Sequence, residues 1–342
     1  MSDIPLNKIN LAKTDYQGGK STLCTGCGHD MISTHIINSF FELNIHPHEV
    51  AKVSGIGCSS KLPGYFMSSS FGFNSMHGRM APIATGVKIA NKELIILGVS
   101  GDGDTASIGL GGFAHMIRRN NQCIYIVANN GVFGLTKGQF SATSDIESIA
   151  KNGNENTNQA IDICGLALEL GAGFVARTFV GDQKQMSAIL KAAVKYEGCA
   201  IIDVISPCIT FNNHDGSTMS YKFVKEHDRP IQSVLNFQNQ QNNSENNSDP
   251  QIQNIELADG SVLSLKPLES EKHDIQDLIS AKRILAENKL RSTLLTGLFY
   301  LNNRLPEYTV KTEQTEKPLS QLNESELRPS VEVFNKIINV YR

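Results

Sequence analysis

Two short apolar runs bracket a helical pattern between Leu94 and Gly131, and few folds accept such a stretch. The first run, Leu94-Ile95-Ile96-Leu97-Gly98-Val99, breaks into Ser100-Gly101-Asp102-Gly103-Asp104. A helical pattern continues through Met116, and the second run, Ile124-Tyr125-Ile126-Val127, ends in Ala128-Asn129-Asn130-Gly131. Two β-rich runs around a helix read as a βαβ unit of a parallel sheet. The predicted fold class is therefore α/β, a parallel sheet with helices on both faces. Ligands of such sheets sit beyond the carboxyl ends of the strands. Both ends here carry oxygen donors, Asp102 on one and Asn130 on the other. A carboxylate, a carboxamide and a nearby backbone carbonyl suit a hard cation such as Mg²⁺, which completes its shell with phosphate oxygens and water. The glycines let a diphosphate approach the backbone, and the next helix N-terminus favours the anion.

A chain of 342 residues can bury a substantial core as one large or two ordinary domains. Its formal net charge of −3, without a basic tract, gives no support to nucleic-acid binding. No apolar run is long enough to span a membrane, and Met1 to Lys20 lacks the apolar core of a secretory signal. Seven cysteines then argue for metal or redox chemistry in a reducing compartment rather than a disulfide framework, and a cytoplasmic protein is expected.

Cys24-Thr25-Gly26-Cys27-Gly28-His29 places two thiols on one turn. A thioredoxin-like dithiol, half a zinc site and two structural cysteines all have this spacing. The chain holds no second Cys-x-x-Cys pair, but it has Cys58 in Gly55-Ile56-Gly57-Cys58-Ser59-Ser60 and Cys208 in Ser206-Pro207-Cys208. Four thiolates from three segments would suit a [4Fe–4S] cluster. Cys123, Cys164 and Cys199 fall in or beside apolar stretches and read as core. Lys61, directly after the Cys58 loop, is a candidate for gripping a substrate carboxylate, although most lysines are solvated.

Gly101-Asp102-Gly103 followed by Asn129-Asn130 resembles the thiamine diphosphate (TPP) motif. With Ser100 to Asp104 and Gly134-Leu135-Thr136-Lys137-Gly138-Gln139, the text is similar to the β subunit of 2-oxoacid:ferredoxin oxidoreductases, nearest the 2-oxoglutarate type. The likeness covers Leu23 to about Arg229 and thins out afterwards. It implies a thiamine diphosphate-binding fold and a [4Fe–4S] cluster on Cys24, Cys27, Cys58 and Cys208. Asp102, Asn130 and the Val132 carbonyl become ligands of Mg²⁺. Ile56, Gly57, Cys58, Ser59, His77, Gly78, Arg79, Gly103, Asp104, Gly134 and Leu135 are expected around TPP, and Lys61 and Lys137 near the substrate carboxylate. The implied reaction is CoA-acylating oxidative decarboxylation of a 2-oxoacid, 2-oxoglutarate before pyruvate, with electrons passing to ferredoxin. The implied partner is a separate α subunit. Two other readings stand beside it: a non-redox TPP decarboxylase or carboligase with structural zinc, and a zinc-stabilised binding subunit without activity.

Along the rest of the chain, helices are expected over Asp30–Leu43, Ala81–Ala90, Ile161–Leu170 and from a cap at Asp182. Strands are expected at Val50–Ser54, Gly173–Val180 and Ala200–Ile205. Phe71–Met76 reads as loop, and Ser141–Ala160, rich in Asn, Ser and Thr, as a surface loop. The domain reading is a TPP-binding domain over 1–235, a flexible polar linker over 236–251 and a less regular carboxyl-terminal extension over 252–342. In that extension a hairpin around Asp259-Gly260, a helix over Ile279–Leu290, a strand over Thr293–Leu301 and a last helix near Val331–Tyr341 are expected.

Overall fold

The computed structural model of the chain describes residues 5–238, 252–268, 273–289 and 293–341, without the side chains of residues 235 and 236. In chain order its strands are β1 (Val50–Ser54), β2 (Phe71–Asn74), β3 (Ile95–Gly101), β4 (Cys123–Asn129), β5 (Val132–Phe133), β6 (Gln139–Phe140) and β7 (Phe174–Phe179). They continue as β8 (Cys199–Ile205), β9 (Asp228–Pro230), β10 (Gln232–Gln238), β11 (Gln253–Glu256), β12 (Val262–Pro267) and β13 (Leu294–Leu301). Eight form one sheet in the order β2-β1-β3-β4-β8-β7-β13-β9. Every neighbouring pair in it is parallel except β13 with β7. The carboxyl ends of β1, β3, β4 and β8 therefore lie side by side on one edge.

Helices α1 (Gly28–Glu42), α2 (Met80–Ala90), α3 (Leu110–Arg119), α4 (Ile163–Glu169), α5 (Gln183–Val194), α6 (Tyr221–His227) and α7 (Leu278–Asn288) surround the sheet. Side chains alternate faces along a strand, which sorts the core into two layers. Leu97, Val99, Ile126 and Ala128 pack with Ile32, Ile36 and Phe40 of α1 and Ile189 of α5. Ile96, Tyr125 and Val127 pack on the other face with Met80, Phe113, Met116, Leu168 and Ile284 from α2, α3, α4 and α7. Each fully buried aliphatic side chain contributes roughly 2 kcal/mol. The Asp182 side chain accepts from Gln185 N, capping α5 as expected. No helix among the described residues is long and apolar enough to cross a membrane.

Several expectations are corrected. Phe71–Asn74 is the parallel edge strand β2, not a loop; strand pairing with β1 was illegible because all four residues are exposed and show no alternation. The helical pattern after Asp104 is split into a π-helical turn, Gly103–Ile108, and α3. Of the expected linker, residues 236–238 belong to β10, and 239–251 lie outside the described residues. The boundary after 251 does not separate two packing units: β13 inserts between β7 and β9, burying Leu295, Leu298, Phe299 and Leu301. The expected hairpin is present as β11 and β12, and joins β10 in a small antiparallel sheet.

Candidate active site and cysteine cavity

Asp102 follows β3 and Asn130 follows β4, and the register sets Gly101 against Ala128, so the two residues emerge side by side. The Asn130 N–H donates to Asp102 Oδ1 at 3.4 Å. Asp102 is 2% exposed, and among the described residues no ion pair to it is seen. Two hydroxyls serve its other oxygen: Ser141 Oγ donates to Oδ2, and Thr143 Oγ1 lies 2.9 Å away. Burial pushes the Asp102 carboxyl up to about 6, against the pull of these hydrogen bonds. A buried carboxylate without a counter-charge fits a cation, and Asn130 and the Val132 backbone supply neutral oxygens next to it. Asn130 Oδ1 accepts from Val132 N at 3.1 Å, and its Nδ2 faces His29 Nε2 at 3.2 Å.

Ser141 and Thr143 belong to the stretch expected to be a surface loop. Ser141, Thr143 and Ser144 are instead buried against the strand ends, with Ser148 and Asn156 buried farther on, while residues 151–155 and 157–159 are exposed as expected. The hydroxyls at the start of the stretch serve hydrogen bonds inside the protein rather than water. Nothing in its spacing pointed to Asp102, because the contact spans about forty residues and follows no period.

A cavity of about 100 Å³ opens beside Asp102 and Asn130. Ile56, Gly57, Cys58 and Ser59 from the loop after β1, His77, Gly103 and Asp104, and Val132, Gly134 and Leu135 from the β5–β6 segment line it. Gly78 and Arg79 do not. The Gly78 N–H donates to Asp104 Oδ1 at 2.8 Å, as does Ile56 N at 3.2 Å. His77 Nδ1 stands 2.5 Å from the same oxygen, and Ser100 Oγ donates to Oδ2 at 2.6 Å. Asp104 is thus a hub that pins the loops forming the cavity. A further support escaped the sequence reading: buried Lys52 donates to the carbonyls of Pro63, Phe66 and Met67 at 2.7–2.9 Å, clipping the turn beyond Cys58.

A second cavity, about 180 Å³, is lined by Cys24, Cys27, Cys58 and Cys208, with Lys61 on its wall. Three local features converge on it. Cys27 N donates to Cys24 O at 3.0 Å, closing the Cys-x-x-Cys turn. Gly28 N donates to Pro207 O at 3.1 Å, and a Cβ on Gly28 would lie 2.6 Å from the Ser206 carbonyl carbon, so only glycine lets α1 start against the Cys208 loop. A Cβ on Gly134 would sit 3.6 Å from Cys58 Sγ and 3.7 Å from Cys208 Sγ. Burial, then the nearness of Cys208 and Cys58, pushes the Cys27 thiol up to about 11. Four thiols lining one space fit a cationic metal centre. Among the described residues no three His, Cys, Asp or Glu side chains close on a single ion. One tetrahedral zinc, with Zn–S of about 2.3 Å, would need its thiolates within roughly 4 Å of one another. Cys123, Cys164 and Cys199 are buried elsewhere in the core.

His29, Cys58, Asn130, Gly134 and Leu135 line both cavities and so form a shared wall. His29, just after the Cys-x-x-Cys turn, carries no local sequence signal that sets it on this wall. It is buried, and burial lowers its imidazole to about 4. Lys137 lines neither cavity; it is exposed in the turn between β5 and β6, with φ +81°.

Residues 55–204 match the family of thiamine pyrophosphate enzymes, C-terminal TPP-binding domain. The 2-oxoacid:ferredoxin oxidoreductase subunit beta of Sulfolobus sp is 40% identical over 191 residues, covering 56% of this chain and 63% of that protein. The chain thus spans just under two thirds of that relative's length. The 2-oxoglutarate synthase subunit KorB of Methanocaldococcus jannaschii is 37% identical over 211 residues, 59% of this chain and 76% of that one. A solved structure of 2-oxoglutarate:ferredoxin oxidoreductase from Magnetococcus marinus, with 2-oxoglutarate, coenzyme A and succinyl-CoA bound, is similar over 97% of both chains at 28% identity, with a TM-score of 0.75.

Proposed function

Because the chain belongs to the family of 2-oxoacid:ferredoxin oxidoreductase β subunits, we propose that it holds the diphosphate end of TPP and one [4Fe–4S] cluster in an enzyme that decarboxylates a 2-oxoacid oxidatively, with 2-oxoglutarate the leading substrate. The observation that carries this reading is the shared wall: a buried carboxylate and four converging thiols line two cavities that have five wall residues in common. Bound there, TPP supplies the electron sink for decarboxylation and the cluster supplies one-electron transfer. The residues of this chain bind and orient. Asp102, Asn130 and the Val132 carbonyl hold Mg²⁺, and Ile56 to Ser59, His77, Gly103, Gly134 and Leu135 enclose the cofactor. Asp104, on the cavity wall, pins the enclosing loops through Gly78 and Ile56, and Arg79 follows Gly78 outside the lining. Lys61, on the wall of the cysteine cavity, and Lys137, on the β5–β6 turn, are the candidate cations for a substrate carboxylate. Coenzyme A takes the acyl group, and ferredoxin takes the electrons. The leading place of 2-oxoglutarate is supported by the Methanocaldococcus relative and by the Magnetococcus structure.

A separate α subunit completes the site. Among the described residues no glutamate lines the cavity, whereas activation of TPP needs a carboxylate on its aminopyrimidine ring. The test is anaerobic purification of this chain alone and with its α partner, followed by iron analysis and CoA-dependent viologen reduction on 2-oxoglutarate and pyruvate. Iron in both preparations and activity only in the pair, higher on 2-oxoglutarate, are expected. Zinc without iron, or full activity from the lone chain, would overturn the reading.

A further inference from the structure

His29 lies two residues past Cys27 in the first turn of α1, on the wall that both cavities share. Its hydrogen bonds admit one self-consistent arrangement of protons. Val132 N–H donates to Asn130 Oδ1 at 3.1 Å, which turns the Asn130 amino group toward His29 Nε2 at 3.2 Å. An amino group only donates, so Nε2 accepts and the imidazole proton resides on Nδ1. Nδ1 stands 2.8 Å from Ser206 Oγ, and that hydroxyl donates onward to the Asn129 carbonyl at 3.3 Å. His29 is 2% exposed and Ser206 fully buried, so the chain has no solvent alternative.

We propose that His29 is a positioning residue that keeps the Asn130 carboxamide oxygen, rather than its nitrogen, turned toward the cation beside Asp102. The inference rests on the reading of Asp102 and Asn130 as cation ligands. A flipped amide would set its N–H groups against both Val132 N–H and the cation. Val132 alone opposes the flip through a single bond on one side of the amide; His29 opposes it from the other. The residue also ties the first turn of α1, directly after Cys27, to the Asn129–Asn130 end of β4. Outer partners of this kind are worth about 10–100-fold in metal affinity.

The test uses the assembled α–β complex freed of TPP, and titrates TPP by calorimetry with and without Mg²⁺. His29→Leu should weaken the Mg²⁺-supported affinity about 10–100-fold and leave the affinity without Mg²⁺ unchanged. His29→Gln, whose amide can accept from Asn130 and donate to Ser206, should stay within about threefold of the parent, well inside that range. An equal loss with and without Mg²⁺, or no loss in His29→Leu, overturns the proposal. If His29→Leu does not fold, Ser206→Ala, which frees the far side of the ring, carries the same test: a Mg²⁺-specific loss supports it, and any other result overturns it. A parent complex whose TPP affinity ignores Mg²⁺ overturns the cation reading and the proposal together.

Discussion

Cysteines of one chain differ here by what surrounds their sulfur. Cys58 stands between two cavities, half-exposed, while Cys164 is fully buried and its thiol points to the Ala176 carbonyl at 3.5 Å. Cys58→Ser should abolish the visible chromophore and the iron content, because a hard alkoxide replaces thiolate poorly on iron. Cys164→Ser should keep both and lose only some packing. Matching spectra for the two variants would refute the ligand assignment. Thr143 offers a second residue-level prediction. Its hydroxyl lies 2.9 Å from both Asp102 Oδ2 and Asn129 Oδ1, so Thr143→Val keeps the shape and removes the hydrogen bond. A Mg²⁺ titration at fixed TPP should show the requirement for Mg²⁺ rising about tenfold; an unmoved titration curve would make the hydroxyl a bystander. Asp102 and Cys58 could be read from local spacing, since strand ends of a parallel sheet share an edge. Thr143 and Ser141 could not, since a hydroxyl in a polar stretch has the same local signature whether it meets a carboxylate or water.

Between elements, two buried imidazoles act as ties. His35 of α1 donates from Nε2 to the Val180 carbonyl beyond β7 at 3.0 Å. His273 bonds the Phe299 carbonyl of β13 at 2.6 Å and Ser280 of α7 at 3.1 Å. Burial lowers both below the ordinary histidine value, and the opposing pulls of Asp182 on His35 and of Asp274 and Asp277 on His273 are smaller. A depressed folded value means that the contribution is present above the unfolded value of about 6.5 and is lost as pH falls. The thermal midpoint should therefore drop between about pH 7 and pH 5. His35→Gln with His273→Gln should flatten that slope; calorimetry at both pH values that gave parallel curves for parent and double variant would sink the idea. Most helices and strands were legible as elements, from apolar period and from caps such as Asp182. Their partners were less so. β2 carries no alternation, and β13 reads as a strand without announcing that it runs antiparallel beside β7, because pairing across more than a hundred residues leaves no local trace.

For the whole molecule, that insertion decides what can be cut away. A fragment of residues 1–235 keeps every residue assigned to the two cavities but strips β13 from β7, leaving the edge of a buried, apolar strand open to water and to other chains. Such a fragment should aggregate or lose its cooperative transition, as seen by size-exclusion chromatography and thermal melting. A soluble fragment with a sharp melt would show that the site-bearing part folds independently. The same insertion also sets a clock. Leaving the ribosome from its amino end, the chain presents Cys24 through Cys208 well before Leu294 appears. All the strands of the site-bearing edge are thus available while the slot between β7 and β9 is still vacant. The nascent polypeptide must shelter β7 through that interval, so slower translation of residues 206–293 lengthens the exposure and raises the demand for chaperones, even though no residue of the active site is touched.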